Sequence, residues 1–170
     1  MKRMLLAVLL LGGVGLWSAP ALALLNLGSC TVNAGSGVDF GQYDPNPFPN
    51  NNDLEATAEI HVSCSSLLNV GASGSFNVYL NAGNGSFAQR KMYNGSNVLN
   101  YNLYTSSGNS SPVWGDGTGG TEFKSGYFQF PLIGVITYRE AFFTIFGRIP
   151  RGQFVPSGSY RDTIKITVTL

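Results

Sequence analysis

Strict alternation of apolar and polar residues is the feature that most constrains this chain. From Tyr160 to Leu170 the positions Ile164, Ile166, Val168 and Leu170 are apolar, while Arg161, Thr163, Lys165, Thr167 and Thr169 are polar. A period of two is the mark of a strand with one buried face, and here it runs in phase to the last residue with no turn after it. In "ATAEIHVSC" the same pattern puts Ala56, Ala58, Ile60, Val62 and Cys64 on one face and Thr57, Glu59, His61 and Ser63 on the other. "SFNVYLNAG" groups Phe76, Val78 and Leu80. "KMYNGSNVLNYNLYT" contains Asn94-Gly95, which suits a tight hairpin turn because both residue types accept positive φ, and its second arm aligns Leu99, Tyr101 and Leu103. "VDFGQY" and "AFFTIFGRIP" are two further strand candidates. Between them lie "DPNPFPNNND", "TSSGNSSPVWGDGTGG" and "PRGQFVPSGS", whose prolines keep them out of central strands. Short strands separated by turns, with no amphipathic helix and no long internal repeat, predict an all-β antiparallel sandwich.

The first residues obey a different rule. "MKRMLLAVLLLGGVGLWSAPALA" has a basic start at Lys2 and Arg3, an apolar run, and an A-x-A end at Ala21 and Ala23. This predicts a secretory signal peptide over 1–23, cleaved near Ala23, and one mature domain over 24–170. The apolar run falls short of the roughly 20 residues a spanning helix requires, so no transmembrane segment is expected in the mature protein. Loss of Lys2 and Arg3 takes the formal charge from +1 to −1, leaving no basic field to hold nucleic acid or an anionic membrane. Cys30 and Cys64 would then meet an oxidising compartment, where one disulfide between them is the economical arrangement. On the chain-entropy account such a bond contributes roughly 3 to 4 kcal/mol.

Motifs that could carry chemistry are weak. "GDGTGG" over Gly115 to Gly120 satisfies G-x-G-x-x-G, but no helical pattern follows to receive a pyrophosphate, so it is expected to be a turn and no cofactor is expected. There is no G-x-S-x-G elbow, and a nucleophilic triad would have to use His61, the single histidine, which shares a polar strand face with Glu59 and Ser63. No spacing among the acidic residues recommends a glycosidase pair. Two cysteines and one histidine make a poor zinc site. No catalytic residue and no metal are therefore expected. Asn84, Asn94 and Asn109 begin glycosylation-type triplets that also suit turns, and they are read as turns. The densest apolar segment, "GYFQFPLIGVITYREAFFTIF" from Gly126 to Phe146, admits two readings that apply to different halves. One is core strands. The other is an exposed surface-contact loop comprising Phe128, Phe130, Leu132, Ile133, Val135 and Ile136, bent by Pro131 and Gly134.

Taken in order, "CTVNAGSGVDFGQYDP", "AEIHVSC", "LNYNLYT", "VWGDGTGG", "FGRIPRGQ" and "GSYRDTIKITVTL" resemble the successive signatures of the spore coat U domain, shared with Csu-type subunits of archaic chaperone-usher pili. The matches run from Cys30 to Leu170; the stretch from Phe123 to Glu140 fits least well. The resemblance implies an incomplete immunoglobulin-like β-sandwich lacking its C-terminal strand. A periplasmic chaperone would fill the gap first, and an extended segment of another pilus subunit would then replace it in trans during export through an outer-membrane usher to a surface fimbrium. Ile164, Ile166, Val168 and Leu170 are then expected to line one wall of the donor-strand groove, with the carboxylate of Leu170 gripped by the chaperone.

Polymerising members of that family carry a donor segment of alternating apolar residues before the first cysteine, whereas here only "LLNLGS", Leu24 to Ser29, lies between the expected cleavage site and Cys30. It would span roughly 20 Å, against about 36 Å for Tyr160 to Leu170. The expectation is a subunit that accepts a strand without donating one, at the pilus tip, where adhesion belongs. The competing expectations are a spore or cyst coat component of the same family and a self-sufficient secreted carbohydrate-binding sandwich that uses aromatics such as Trp114 and Tyr127.

Overall fold

The computed structural model describes residues 29–46, 52–65, 73–131 and 138–170. The expected signal peptide, residues 24–28, and Leu132, Ile133, Val135 and Ile136 lie outside the described residues. Among the described residues eight strands follow in order: β1 (Cys30–Asn33), β2 (Leu54–Ser65), β3 (Ser73–Leu80), β4 (Arg90–Asn94), β5 (Asn97–Tyr104), β6 (Lys124–Gln129), β7 (Tyr138–Ile149) and β8 (Ile166–Thr169). They form a five-stranded sheet in the order β1-β2-β7-β5-β4 and a three-stranded sheet in the order β6-β3-β8. All pairings between these strands are antiparallel. The fold is thus the all-β sandwich that the alternation predicts.

Each sheet contributes its apolar face to one core. Ile60 and Val62 of β2, Ile145 and Ile149 of β7 and Leu99 and Leu103 of β5 meet Phe76, Val78 and Leu80 of β3 and Phe128 of β6. Burying each such side chain contributes about 1.5 to 3 kcal/mol. β2 and β7 pair along their whole lengths, from Leu54↔Ile149 to Ser65↔Tyr138, and supply the backbone of the larger sheet. Phe143 of β7 reaches across to the Phe76 ring edge-on at 6.0 Å. Trp114 is fully buried where the two sheets meet, its indole Nε1 donating to the Val78 carbonyl at 3.0 Å. The expectation of Trp114 as an exposed binding aromatic is therefore corrected, because its ring fills the core and its one donor is used there.

Three local expectations also change. "VDFGQY" is not a strand: after the turn closed by Gly37 N–H on the Ala34 carbonyl, residues 38–43 run unpaired, with Gly41 at φ +66°. The hairpin is where Asn94-Gly95 predicts, but Asn94 pairs with Asn97, so the central residues of the turn are Gly95 and Ser96. Gly95 takes φ +59°, as the first position of a primed turn requires. At the C-terminal end only Ile166–Thr169 is strand. Before it Arg161 bridges Tyr93 of β4 and Lys165 bonds Asn81 just after β3, so the segment crosses from one sheet to the other. "GDGTGG" is a turn, as expected. The Asp116 carboxylate accepts from the Thr118 hydroxyl and N–H, which hold it below the usual range.

Candidate functional site

The site follows from how β8 is held. β8 hydrogen-bonds β3 from Leu80↔Ile166 to Asn77↔Thr169 and is the outermost strand of its sheet. β1 is likewise outermost in the other sheet, tied to β2 by the Cys30–Cys64 disulfide. An outer strand leaves one row of backbone donors and acceptors without a neighbour. Beyond β1 and before β8 the sandwich opens into a cleft of about 950 Å³. One wall is residues 34–43 and the other is residues 155–166. Its floor is the core itself: Leu80, Leu99, Leu103, Ile145 and Ile149. Ile164 and Ile166 line the second wall and remain half-buried although they pack against the core.

Both walls are fixed by close packing. Gly147 of β7 faces Phe40 and Val38; a Cβ there would stand 2.6 Å from the Phe40 ring and 2.9 Å from Val38. Phe40 also meets Tyr101 edge-on at 6.0 Å. The Tyr43 hydroxyl donates to the Pro150 carbonyl and accepts from the Gln153 N–H, both at 2.9 Å. On the opposite wall Asp162 is the anchor. Its carboxylate accepts from the Tyr101 hydroxyl at 2.7 Å, from the Thr163 N–H at 2.7 Å and from the Asn84 N–H at 3.1 Å. Gly83, at φ +60°, leaves the space that Asp162 and Ile164 occupy. Burial, together with the hydrogen bond to Asp162, pushes the Tyr101 hydroxyl well above its ordinary pKa.

Behind this wall lies a buried cation that sequence reasoning missed. Arg90 has no exposed surface and donates to the carbonyls of Asn81 (2.8 Å) and Trp114 (2.7 Å) and to Asn102 Oδ1 (2.6 Å). Burial lowers its pKa from the ordinary value, and Tyr101 and Asp162 oppose that shift. A lone arginine opening a five-residue strand reads from sequence as solvated, so the signal was absent. Only the third dimension brings three acceptors to it.

The predicted site residues divide. Cys30 and Cys64 are bonded. Ile164 and Ile166 lie in the cleft wall. Val168 does not line it: its pairing with Val78 turns it onto the core, and Leu170, at 56% exposure, stands outside the lining. Phe128 and Phe130 are buried, with 5% and 1% of their surfaces exposed, and their rings meet at 5.5 Å. As members of an exposed loop they are corrected, since Phe128 in β6 and Phe130 just after it both turn into the interior. Tyr127, the residue before Phe128, points outward and is 66% exposed. His61 Nε2 lies 3.2 Å from Glu140 Oε1 but off the hydrogen-bonding direction, and its ring stacks on Phe142 at 4.5 Å.

The model of the Spore Coat Protein U domain matches residues 17–167. The chain belongs to the spore coat protein U domain family. Protein U of Myxococcus xanthus is 30% identical over 166 residues, which cover 89% of this chain and 86% of that protein. Among solved structures, the chaperone–tip adhesion subunit pre-assembly complex CsuC–CsuE from archaic chaperone-usher Csu pili of Acinetobacter baumannii matches 84% of the chain at 22% identity and a TM-score of 0.45. A chaperone–tip adhesin complex of CFA/I fimbriae biogenesis matches 82% at 14% identity and a TM-score of 0.36. The chain spans 39% and 42% of those two solved chains.

Proposed function

We propose that this spore coat U domain is a fimbrial subunit of the chaperone-usher pathway, secreted through the periplasm and completed by a strand from another chain. The observation that carries the reading is the cleft, an open trough floored by core leucines and isoleucines whose walls, residues 34–43 and 155–166, adjoin the outermost strands β1 and β8. An exposed edge beside apolar surface is an aggregation hazard, and a strand supplied in trans removes both problems together. A periplasmic chaperone holds the subunit first, an outer-membrane usher receives it, and another subunit's strand replaces the chaperone.

The cleft's dimensions support one path for the strand. An inserted strand needs about 9.6 Å between its two neighbours. The Cα atoms of β1 and β8 come within 8 Å of each other, too close for a third strand at that end. The incoming strand therefore lies between residues 38–43 and 155–166, seated on Ile164 and Ile166.

The finer part of the proposal is a tip position, supported by the short Leu24 to Ser29 segment between the expected cleavage site and Cys30. If a peptide of Leu24 to Ser29 displaces chaperone from another subunit, the tip position is wrong. The central test is to refold the disulfide-bonded mature chain with and without an excess of a twelve-residue peptide of alternating apolar residues. The expected result is aggregation alone and a soluble, cooperatively melting complex with peptide. A chain that is monodisperse alone and indifferent to peptide overturns the reading. A second reading, a coat component that uses the same strand exchange, is favoured by the identity to Protein U across most of that protein's length. A chaperone and usher encoded beside the gene favour the pilus over the coat.

A further inference from the structure

The outer face of the larger sheet carries a row of rings that neither the core nor the cleft uses. Period two turns Tyr138, Phe142 and Phe146 of β7 outward, while Phe143, Ile145 and Ile149 take the core side. β7 lies in the middle of its sheet, so the row runs along the centre of the face and not along its rim. Successive rings are four residues of strand apart, about 13 Å. Tyr138 and Phe142 are each 56% exposed, and Phe146 is half-buried. Across the ladder the His61 ring stacks on Phe142 at 4.5 Å and 5°. A ring held in place before binding loses less freedom when a ligand arrives.

Polar groups alternate with these rings. Glu140 and Thr144 stand between them on β7, and on β2 Ser63, Glu59 and Thr57 lie opposite Glu140, Thr144 and Phe146. The charges decide between occupants. A stable protein partner buries about 800 Å² per side around a centre poor in charge, whereas Glu59 and Glu140 sit inside this patch. An acidic polymer meets the same two carboxylates as like charges. A neutral sugar polymer is complementary to both components of the face. Its C–H faces lie on aromatic rings, which are electron-rich on their faces, and its hydroxyls donate to carboxylates and exchange hydrogen bonds with serine and threonine. One sugar unit does not reach from ring to ring, so the ligand is a chain. We infer that the outer face of β2 and β7 binds a linear neutral polysaccharide lengthwise along β7, with Tyr138 and Phe142 as its stacking platforms. This site shares no residue with the cleft lining and does not depend on strand acceptance.

The test uses the disulfide-bonded mature chain, with the alternating apolar peptide added if the free chain aggregates. Cellohexaose, mannohexaose, the N-acetylglucosamine hexamer and, as the acidic probe, the galacturonic acid hexamer are titrated by calorimetry, each beside its monosaccharide. At least one neutral hexamer should bind about tenfold or more tightly than its monosaccharide, and the acidic hexamer should bind more weakly than that neutral one. Phe142→Ala and Tyr138→Ala should each lower the affinity by roughly tenfold, as truncation of a central aromatic does, with little change in melting temperature because both rings are exposed. Tyr127→Ala, on the other sheet, should leave the affinity unchanged. Failure of every neutral hexamer to bind, equal binding of the acidic one, or an affinity that survives both β7 variants overturns the inference and leaves strand acceptance standing. Strand acceptance fails separately, in the refolding test with peptide.

Discussion

Arg90 shows how much a single side chain can carry in a small sandwich. Its guanidinium joins the turn after β3, β5 and the Trp114 carbonyl. Truncation to methionine leaves those acceptors buried without donors, and the expected loss is about 3 kcal/mol or more, read as a lower denaturant midpoint at unchanged slope. Tyr101 makes a prediction of opposite kind. Its folded pKa is raised, first by burial and then by Asp162, whereas in the unfolded chain it titrates near 10. The stability from this group is complete below about pH 10 and is lost as pH rises above it, since the unfolded chain releases its proton first. Tyr101→Phe should therefore flatten the alkaline fall in stability, measured by denaturant titration between about pH 8 and 11. Neither role was legible from the sequence, where Arg90 and Tyr101 are ordinary strand residues. Burial and partners nine to sixty-one positions away decide both, and local pattern carries no such information.

At the scale of elements, the cleft walls deserve separate tests. Gly147→Val places carbon where the Phe40 ring and Val38 now lie, so β7 and residues 38–40 must part. The expected cost is about 1 to 3 kcal/mol by melting, with weaker peptide binding because the wall shifts. Ile166→Asp acts on the other wall. Ile166 is half-buried and faces the open cleft, so a carboxylate there keeps some water in the free chain but loses it beneath an incoming strand. Peptide binding should fall by about tenfold or more while near-ultraviolet circular dichroism of the free subunit changes little; equal binding would show that the strand does not pass over Ile166. β2, β3, β5, β7 and the hairpin were legible because each has a buried face with period two. Residues 38–43 were misread for a physical reason: the segment is apolar because it packs on Gly147 and Tyr101, not because it pairs in a ladder. Phe128 and Phe130 were similarly ambiguous, since an apolar run has the same composition whether it is core or exposed.

For the whole molecule, the disulfide and the cleft act together. Cys30–Cys64 ties β1 to β2, and β1 leads directly into the first cleft wall. Replacing both cysteines by serine should cost roughly 2 to 4 kcal/mol and weaken strand binding beyond that loss in stability, which a comparison of melting with and without peptide would reveal. Alternation, turn residues and the pair of cysteines behind an expected signal peptide determined on their own that this chain is an all-β sandwich, that one disulfide staples it, and which face of β2, β3 and β5 turns inward. These properties follow from local periodicity and covalent chemistry, which a linear sequence displays directly. The tertiary structure alone decided that the trough lies between residues 34–43 and 155–166, that Val168 and Leu170 stand outside it, and that Tyr101, Asp162 and Arg90 meet beside it. Those facts depend on how two sheets close over each other, and closure is set by contacts between residues far apart in the chain.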